Sequence, residues 1–375
     1  MKNQIMIIAN DTTYVYNLRR KTIERLIEMG YGVTIVSEVI MHEEALVDLG
    51  CQIVHLSTSR HSTNPLNDAK LFFQYLKILK KYKPDVVLSF NIKPNVYGGF
   101  ACKLMGIPCI ANITGLGTAL EIPGKMQKLT TILYKIGVSG AECVFFQNSE
   151  NEQFFRDKKI LSKKSRTNLL PGSGVSLVSH PALPYPTDNK IHFLFVARIL
   201  KEKGIDQYLS VAEHFVSKRD DVVFHICGGC DDPKYEKTLD DAQKRGIIEY
   251  HGQQKDMIPF LKQAACIVHP SYYPEGMSNV LLEAAASARP VIATDRSGCR
   301  ETVDDGVSGY IVPIKQTQPI IDALEKFLSL SYEQRRDMGL SGREKMAREF
   351  DRQIIVEAYA EQVLITLERK SINRK

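Results

Sequence analysis

Two carboxylates, Glu275 and Glu283, bracket the stretch Gly276-Met277-Ser278-Asn279-Val280-Leu281-Leu282. Ionised carboxylates accept hydrogen bonds and donate none, which suits them to sugar hydroxyls. Upstream, Arg198 and Lys203 follow the apolar run Ile191–Ala197, with Gly204 next. A diphosphate needs cations, and arginine can bind one in a forked geometry. Hydroxyl acceptors and diphosphate donors together fit a nucleotide-sugar. The structural alternative is an ordinary helix cap with two solvated loop charges, so the setting of these residues has to decide.

That setting is a strand-to-helix turn. Ala265-Cys266-Ile267-Val268-His269-Pro270 reads as a buried strand, and Ser278–Ser287 reads as a helix. Glu275 and Gly276 then sit at the mouth of the turn, and Ser278 or Asn279 is a natural N-cap. A helix start offers unpaired N–H groups and partial positive charge to a phosphate. In an open α/β sheet ligands bind at the carboxyl ends of the strands.

The wider chain alternates in the same way. Candidate strands in the first half are Gln4–Ala9, Val33–Ser37, Gln52–Leu56, Asp85–Phe90, Pro108–Ile113 and Glu142–Gln147. Helical patterns lie between them at Asn17–Met29, Glu43–Leu49, Asp68–Lys83, Asn95–Met105 and Met126–Val138. Alternation of this kind implies parallel sheets with crossover helices. Leu170-Pro171-Gly172-Ser173-Gly174 and the prolines after it form a turn-rich linker. A second alternation starts at Ile191, and the tail beyond Tyr332 has only helical pattern. The expected fold class is α/β, with two Rossmann-like domains facing each other across a cleft and C-terminal helices. The expected domains are residues 1–185, residues 186–350, and a helix over 351–375 that packs back on the first domain.

A chain of 375 residues, 44% hydrophobic and 25% charged, suits two soluble globular domains. The short apolar start, Ile5-Met6-Ile7-Ile8-Ala9, reads as a first strand rather than a leader. The eight cysteines are scattered, which suits free thiols in a reducing compartment. Cys227-Gly228-Gly229-Cys230 has the spacing of a redox or metal pair, but reads better as a glycine turn ending a strand. Residues 1–185 carry 22 Lys+Arg against 14 Asp+Glu, whereas residues 186–375 carry 27 against 29. A basic first half suggests an anionic partner. No nucleic-acid recognition motif is present.

Ala197-Arg198, Lys203-Gly204, Pro274-Glu275-Gly276 with Glu283, Gly298-Cys299-Arg300-Glu301 and Asp305-Gly306-Val307-Ser308-Gly309 together resemble the retaining glycosyltransferase family 4, which has the GT-B fold. The resemblance implies that Arg198 and Lys203 hold the donor diphosphate and that Glu275 contacts the donor sugar. It implies that backbone N–H groups over Gly276, Met277, Ser278 and Asn279 help seat sugar and phosphate, and that Glu283 holds the ribose hydroxyls. Asn91-Ile92-Lys93-Pro94-Asn95-Val96-Tyr97-Gly98 and Asn112-Ile113-Thr114-Gly115-Leu116-Gly117 resemble a narrower branch that assembles capsule, O-antigen or lipid-linked oligosaccharides. That branch implies a UDP-sugar donor, often N-acetylated or uronic, and an undecaprenyl-diphosphate-linked acceptor. It also implies work at the cytoplasmic face of the inner membrane. Two family features are missing: the first strand is followed by Asn10-Asp11-Thr12-Thr13-Tyr14 rather than a Gly-Gly pair, and no histidine follows Pro108–Ile113. Arg19 and Lys93 are candidates for acceptor phosphate. Gly115 and Gly117 either admit the diphosphate close to the backbone or form a plain turn.

The expected reaction is transfer of a sugar with retention, with Arg198, Lys203 and the helix start stabilising the departing diphosphate. No Asp-x-Asp is present, so no metal-bridged diphosphate is expected, and neither a metal nor another cofactor is expected in the protein beyond the UDP-sugar as co-substrate. Expected partners are the UDP-sugar, a polyprenyl-diphosphate-linked saccharide and the anionic inner-membrane surface. Leu71, Phe72, Tyr75, Leu76 and Leu79, and likewise Met126, Leu129, Ile132, Leu133 and Ile136, form apolar stripes beside lysines. Most of these are expected in the core, with the lysines giving peripheral attraction to lipid. A nicotinamide enzyme is disfavoured because G-x-G-x-x-G is absent after the first strand. The remaining alternative is a non-catalytic nucleotide-sugar-binding partner of the same fold.

Overall fold

A computed structural model describes residues 2–56, 64–121, 123–230 and 232–372. It divides into two compact units, one running to Ser173 and resumed from Arg352, the other spanning Gly174–Asp351. The first break falls inside the turn-rich linker, after Pro171 and ahead of Pro181, Pro184 and Pro186.

The first unit is built on β1 (Gln4–Asp11), β2 (Gly32–Glu38), β3 (Gln52–His55), β4 (Val86–Phe90), β5 (Cys109–Ile113), β6 (Ala141–Phe146) and β7 (Thr167–Leu169). They form one sheet in the order β3-β2-β1-β4-β5-β6-β7, and every pair is parallel. Ile5, Met6, Ile7, Ile8 and Ala9 are all fully buried, as expected of a strand covered on both faces. The three-residue β7 is too short to have announced itself by pattern. The order reverses between β1 and β4, and their carboxyl ends flank that switch point.

Helix Thr12–Glu28 starts five residues before the expected Asn17. Asp11 is its N-cap and accepts from the Tyr14 N–H at 2.7 Å. The expected loop after β1 is therefore already helix. The C-terminal helix Arg352–Ile372 lies against Thr12–Glu28. Tyr359 packs its ring on Phe90 and Phe145, Arg25 pairs with Glu357 at 3.1 Å, and Lys370 pairs with Asp85 at 2.8 Å.

The two apolar stripes part company. In helix Pro65–Tyr82, Leu71, Tyr75 and Leu79 are buried in the core, with Phe72 and Leu76 packed at its margin. In helix Lys125–Val138, Met126, Leu129, Ile132 and Ile136 are 52%, 52%, 56% and 40% exposed. The expectation of a core stripe fails for these four. Thr130, Tyr134, Gly137 and Val138 form the buried face instead, leaving the stripe on a neighbouring, solvent-facing side. No helix among the described residues is long and apolar enough to cross a membrane.

The second unit contains β8 (Ile191–Val196), β9 (Val222–Cys227), β10 (Glu249–Tyr250), β11 (Cys266–His269), β12 (Val291–Thr294) and β13 (Gly309–Val312). Its sheet order is β10-β9-β8-β11-β12-β13, again all parallel. Here the switch point lies between β8 and β11, the strands that precede Arg198 and Glu275. Helix Tyr332–Glu349 closes the unit from a complete capping box at Ser331 and Gln334.

Candidate active site

The second unit's switch point is stitched together by its own backbone. After β8 the chain makes a tight turn, Lys201–Lys203, and leaves it through Gly204 at φ 79°. A Cβ at Gly204 would meet the Pro270 carbonyl oxygen within 2.3 Å, so only glycine lets this turn touch the exit of β11. Tyr272 N–H donates to the Glu202 carbonyl at 2.9 Å. A third exit joins them: Ser278 N–H donates to the Gly298 carbonyl at 2.8 Å, beyond β12. The Glu301 carboxylate holds that last turn, accepting from Gly298 N–H at 2.7 Å and from Ser297 Oγ at 3.0 Å. The Gly298-Cys299-Arg300-Glu301 motif is thus a brace for the Glu275–Ser278 loop.

This frame brings Lys203 and Glu275 into an ion pair, Nζ to Oε1. Their side chains are only 10% and 18% exposed. The Tyr273 ring lies beneath the ammonium, 4.8 Å from centroid to Nζ. Burial lowers Lys203 to about 8; the Cys299 sulfur opposes the shift and the Arg198 cation adds to it. The paired carboxylate favours the charged form. Arg198 itself is exposed, one residue beyond Ala197.

Helix Asn279–Ala286 begins beside the pair. Ser278 occupies its N-cap position, yet makes no side-chain cap. Its Oγ lies 3.2 Å from His269 Nε2 at the end of β11. Burial, reinforced by the Lys203 charge, pulls His269 down to about 3, so the imidazole is neutral. The result is a helix start whose first-turn amides lack a side-chain oxygen and sit beside a buried cation. His269 and Tyr273 carry no weight in the sequence reading. Their only signal was position, at the end of a buried strand and within the loop that follows it.

Glu283 lies on that helix, half-buried, and Gly276 is buried at its approach. Met277 is compatible with the expected backbone role alone. Its side chain is 7% exposed and packs with Val175, Leu282, Ala285, Met346 and Phe350, so it can offer a ligand its backbone but not its side chain. Ser278 likewise spends its hydroxyl on His269.

The first unit treats its candidates differently. Arg19 is fully buried rather than solvent-facing. Its guanidinium lies 4.6 Å from the Phe90 centroid and donates to Tyr14 Oη at 2.9 Å and Ser173 Oγ at 3.2 Å. Aromatic rings and two hydroxyls lie around it, its Nε and Nη1 have no hydrogen-bond partner, and its burial gives no support to a contact with acceptor phosphate. Lys93 pairs with Asp68 at 3.0 Å, which neutralises its charge locally. Gly115 and Gly117 adopt φ of 142° and 65°, values that call for glycine under either reading. Asn95 and Asn112, the core of the branch-like motif, face inward. Ser89 Oγ donates to Asn95 Oδ1 at 2.6 Å, Asn95 Nδ2 to the Asn112 carbonyl at 2.7 Å, and Asn112 Nδ2 to the Ser89 carbonyl at 3.0 Å.

Comparison with known proteins finds one family model in each unit. The family of glycosyl transferases group 1 matches residues 184–345, and the family described as glycosyl transferase 4-like matches residues 4–148. The chain is 26% identical over 374 residues to the N,N'-diacetylbacillosaminyl-diphospho-undecaprenol alpha-1,3-N-acetylgalactosaminyltransferase of Campylobacter jejuni, covering 95% of this chain and 97% of that one. It is 25% identical over 279 residues to the UDP-Gal:alpha-D-GlcNAc-diphosphoundecaprenol alpha-1,3-galactosyltransferase of Escherichia coli, covering 69% and 70%. Among solved structures, Anabaena HepE in complex with UDP superposes with a TM-score of 0.78 at 15% identity, covering 97% of this chain and 99% of that one. That last likeness speaks to the fold alone.

Proposed function

This chain belongs to the group 1 glycosyltransferases of the GT-B fold, and from that premise we propose that it moves a sugar from a UDP-sugar onto an undecaprenyl-diphosphate-linked saccharide, with retention at the anomeric carbon. The observation that carries the proposal is the buried Lys203–Glu275 pair beside a helix start with no side-chain cap, at the switch point of the second unit.

In this reading the donor diphosphate lies over the first turn of Asn279–Ala286, with Lys203 and Arg198 on its oxygens. Lys203 is held by Glu275 before the bond breaks, so the charge that develops on the leaving diphosphate meets a partly preorganised field, and Arg198 closes on it from solvent. Glu275, anchored by Lys203, accepts from a donor-sugar hydroxyl. Glu283, on the following helix, accepts from the ribose hydroxyls. The sugar is an N-acetylated hexosamine, deoxyhexosamine or uronic acid. The leaving diphosphate takes the proton of the incoming hydroxyl, and donor binding requires no metal.

The acceptor is delivered from a membrane surface. Helix Lys125–Val138 supports this part: it exposes Met126, Leu129, Ile132 and Ile136 next to Lys125, Lys128 and Lys135. Apolar side chains flanked by lysines suit an anionic bilayer at the cytoplasmic face of the inner membrane. The deciding experiment offers labelled UDP-sugars to the purified protein with an undecaprenyl-diphosphate-saccharide extract and follows label into the lipid fraction. Transfer from one UDP-sugar, lost in Glu275→Gln, is expected. Tight UDP binding with no transfer to any lipid would replace it with the non-catalytic reading.

A further inference from the structure

Away from the Lys203–Glu275 site, three histidine rings lie side by side across one face of the second sheet. They belong to three neighbouring strands: His192 on β8, His225 on β9, and His251 just after β10. Glu249 of β10 stands in register with His225, so its side chain leaves the same face. None of these residues contributes to the donor site described above.

Four short contacts link them. His192 Nε2 lies 3.3 Å from Asp188 Oδ2, and His192 Nδ1 lies 2.8 Å from His225 Nε2. On its other side His225 Nδ1 lies 3.0 Å from His251 Nε2 and 3.2 Å from Glu249 Oε2. With one N–H on each imidazole, three protons leave one of the four contacts as two lone pairs facing each other at hydrogen-bond distance.

We infer that His225 Nδ1, His251 Nε2 and Glu249 Oε2 bind a zinc-class divalent cation that clips the edge strand β10 to β9. The three donor atoms are separated by 3.0, 3.2 and 3.9 Å. Zinc bonds of about 2.0–2.1 Å place tetrahedral neighbours about 3.3 Å apart, so the triangle is already the size of one face of such a site. Two imidazoles and one carboxylate favour zinc, cobalt or nickel over magnesium or calcium. With a cation there, the protons of His225 and His192 both have acceptors. His225 Nε2–H donates to His192 Nδ1, and His192 Nε2–H donates to Asp188, the outer support that imidazole ligands usually have. Glu249 is exposed, which gives the ion a way in, and leaves the fourth position to water.

The clip would matter because β10 is two residues long and, among the described residues, has β9 as its one neighbour. The carbonyl of Gly252, next to His251, accepts from Gly228 N–H at 2.8 Å. Gly228 in turn lies so close to the Ala197 carbonyl that a Cβ would stand 1.7 Å from it. Arg198 follows Ala197, so the clip braces the backbone beside the phosphate-facing arginine without touching ligand.

The test uses the full chain after chelator treatment, titrated calorimetrically with Zn2+ and in parallel with Mg2+. One equivalent of Zn2+ is expected, with a higher Tm that Mg2+ does not produce. Glu249→Gln, at the surface, and His251→Asn, half-buried, should fold and weaken Zn2+ binding at least tenfold, while His192→Phe should weaken it about 10–100-fold by removing the outer support. Co2+ should give a nitrogen–oxygen spectrum with no sulfur-to-cobalt charge-transfer band. Absence of saturable Zn2+ binding, undiminished binding in Glu249→Gln and His251→Asn, or a sulfur band pointing to the cysteines would each overturn the assignment. UDP-sugar transfer is read separately, so failure here leaves the proposed function standing, and the reverse.

Discussion

The two units share an architecture and differ in how they furnish it. Each has a parallel sheet whose order reverses once, β1 against β4 in the first and β8 against β11 in the second. In the first unit the reversal is closed by the protein's own groups. Asp11 caps the helix after β1, Asn91 accepts from Asn10 N–H at 3.2 Å, and Asn95 and Asn112 bind the exits of β4 and β5 together. In the second unit the helix after β11 starts without a side-chain cap, as the one after β4 does in the first, but here a buried lysine paired with Glu275 stands beside it. The same topology therefore recurs in both places, and the buried Lys203–Glu275 pair marks the second of them.

That contrast can be broken most sharply at the charged residues. Arg198→Ala, and separately Glu275→Gln, should lower kcat about 10²–10³-fold, the usual loss when one preorganised electrostatic contact is removed. Lys93→Ala in the first unit should cost less than about tenfold, because Asp68 already neutralises it. Equal losses on the two sides would abolish the distinction. Next in size is Leu129→Glu with Ile132→Glu. Each lost apolar side chain forgoes about 1.5–3 kcal/mol of burial, so binding to anionic vesicles should fall by an order of magnitude or more. Turnover of a soluble acceptor analogue should hold steady.

A third substitution separates structure from catalysis. Asn95→Leu leaves the Ser89 hydroxyl and Asn112 carbonyl without their partner, at about 1–3 kcal/mol in stability, read as a lower denaturant midpoint. A gentler probe is pH. Lys203 sits near 8 in the free protein, below an ordinary lysine, because burial disfavours its charge. An anionic donor favours the protonated amine, so donor affinity should be full below pH 8 and decline as pH rises through it, by at most about tenfold per unit. A flat profile to pH 9.5 would remove Lys203 from the diphosphate. Smallest of all, Ser278→Ala should move donor KM by less than about threefold, since that hydroxyl faces His269 and the ligand-facing group is the backbone.

Much of this protein was legible without coordinates. Uninterrupted apolar runs such as Ile5–Ala9 and Ile267–His269 specify strands buried on both faces, and their alternation with helical periods specifies parallel sheets. Spacing within the loops placed Arg198, Lys203, Gly276, Glu275 and Glu283 near strand exits, because local pattern controls where a strand stops and a helix begins. Pattern was blind to neighbours remote in sequence. It could not tell that Arg19 enters an aromatic core while Arg198 stays in solvent, since both are arginines in amphipathic surroundings. Nor could it orient the stripe of Lys125–Val138, where two apolar faces compete for one core and the sheet accepts only the face carrying Tyr134 and Val138. The Lys203–Glu275 pair, the diversion of Ser278 to His269, and the three imidazoles across β8, β9 and β10 depend on strand order. Tertiary packing decided that order, because a parallel sheet joins segments whose separation along the chain carries no information about their contact.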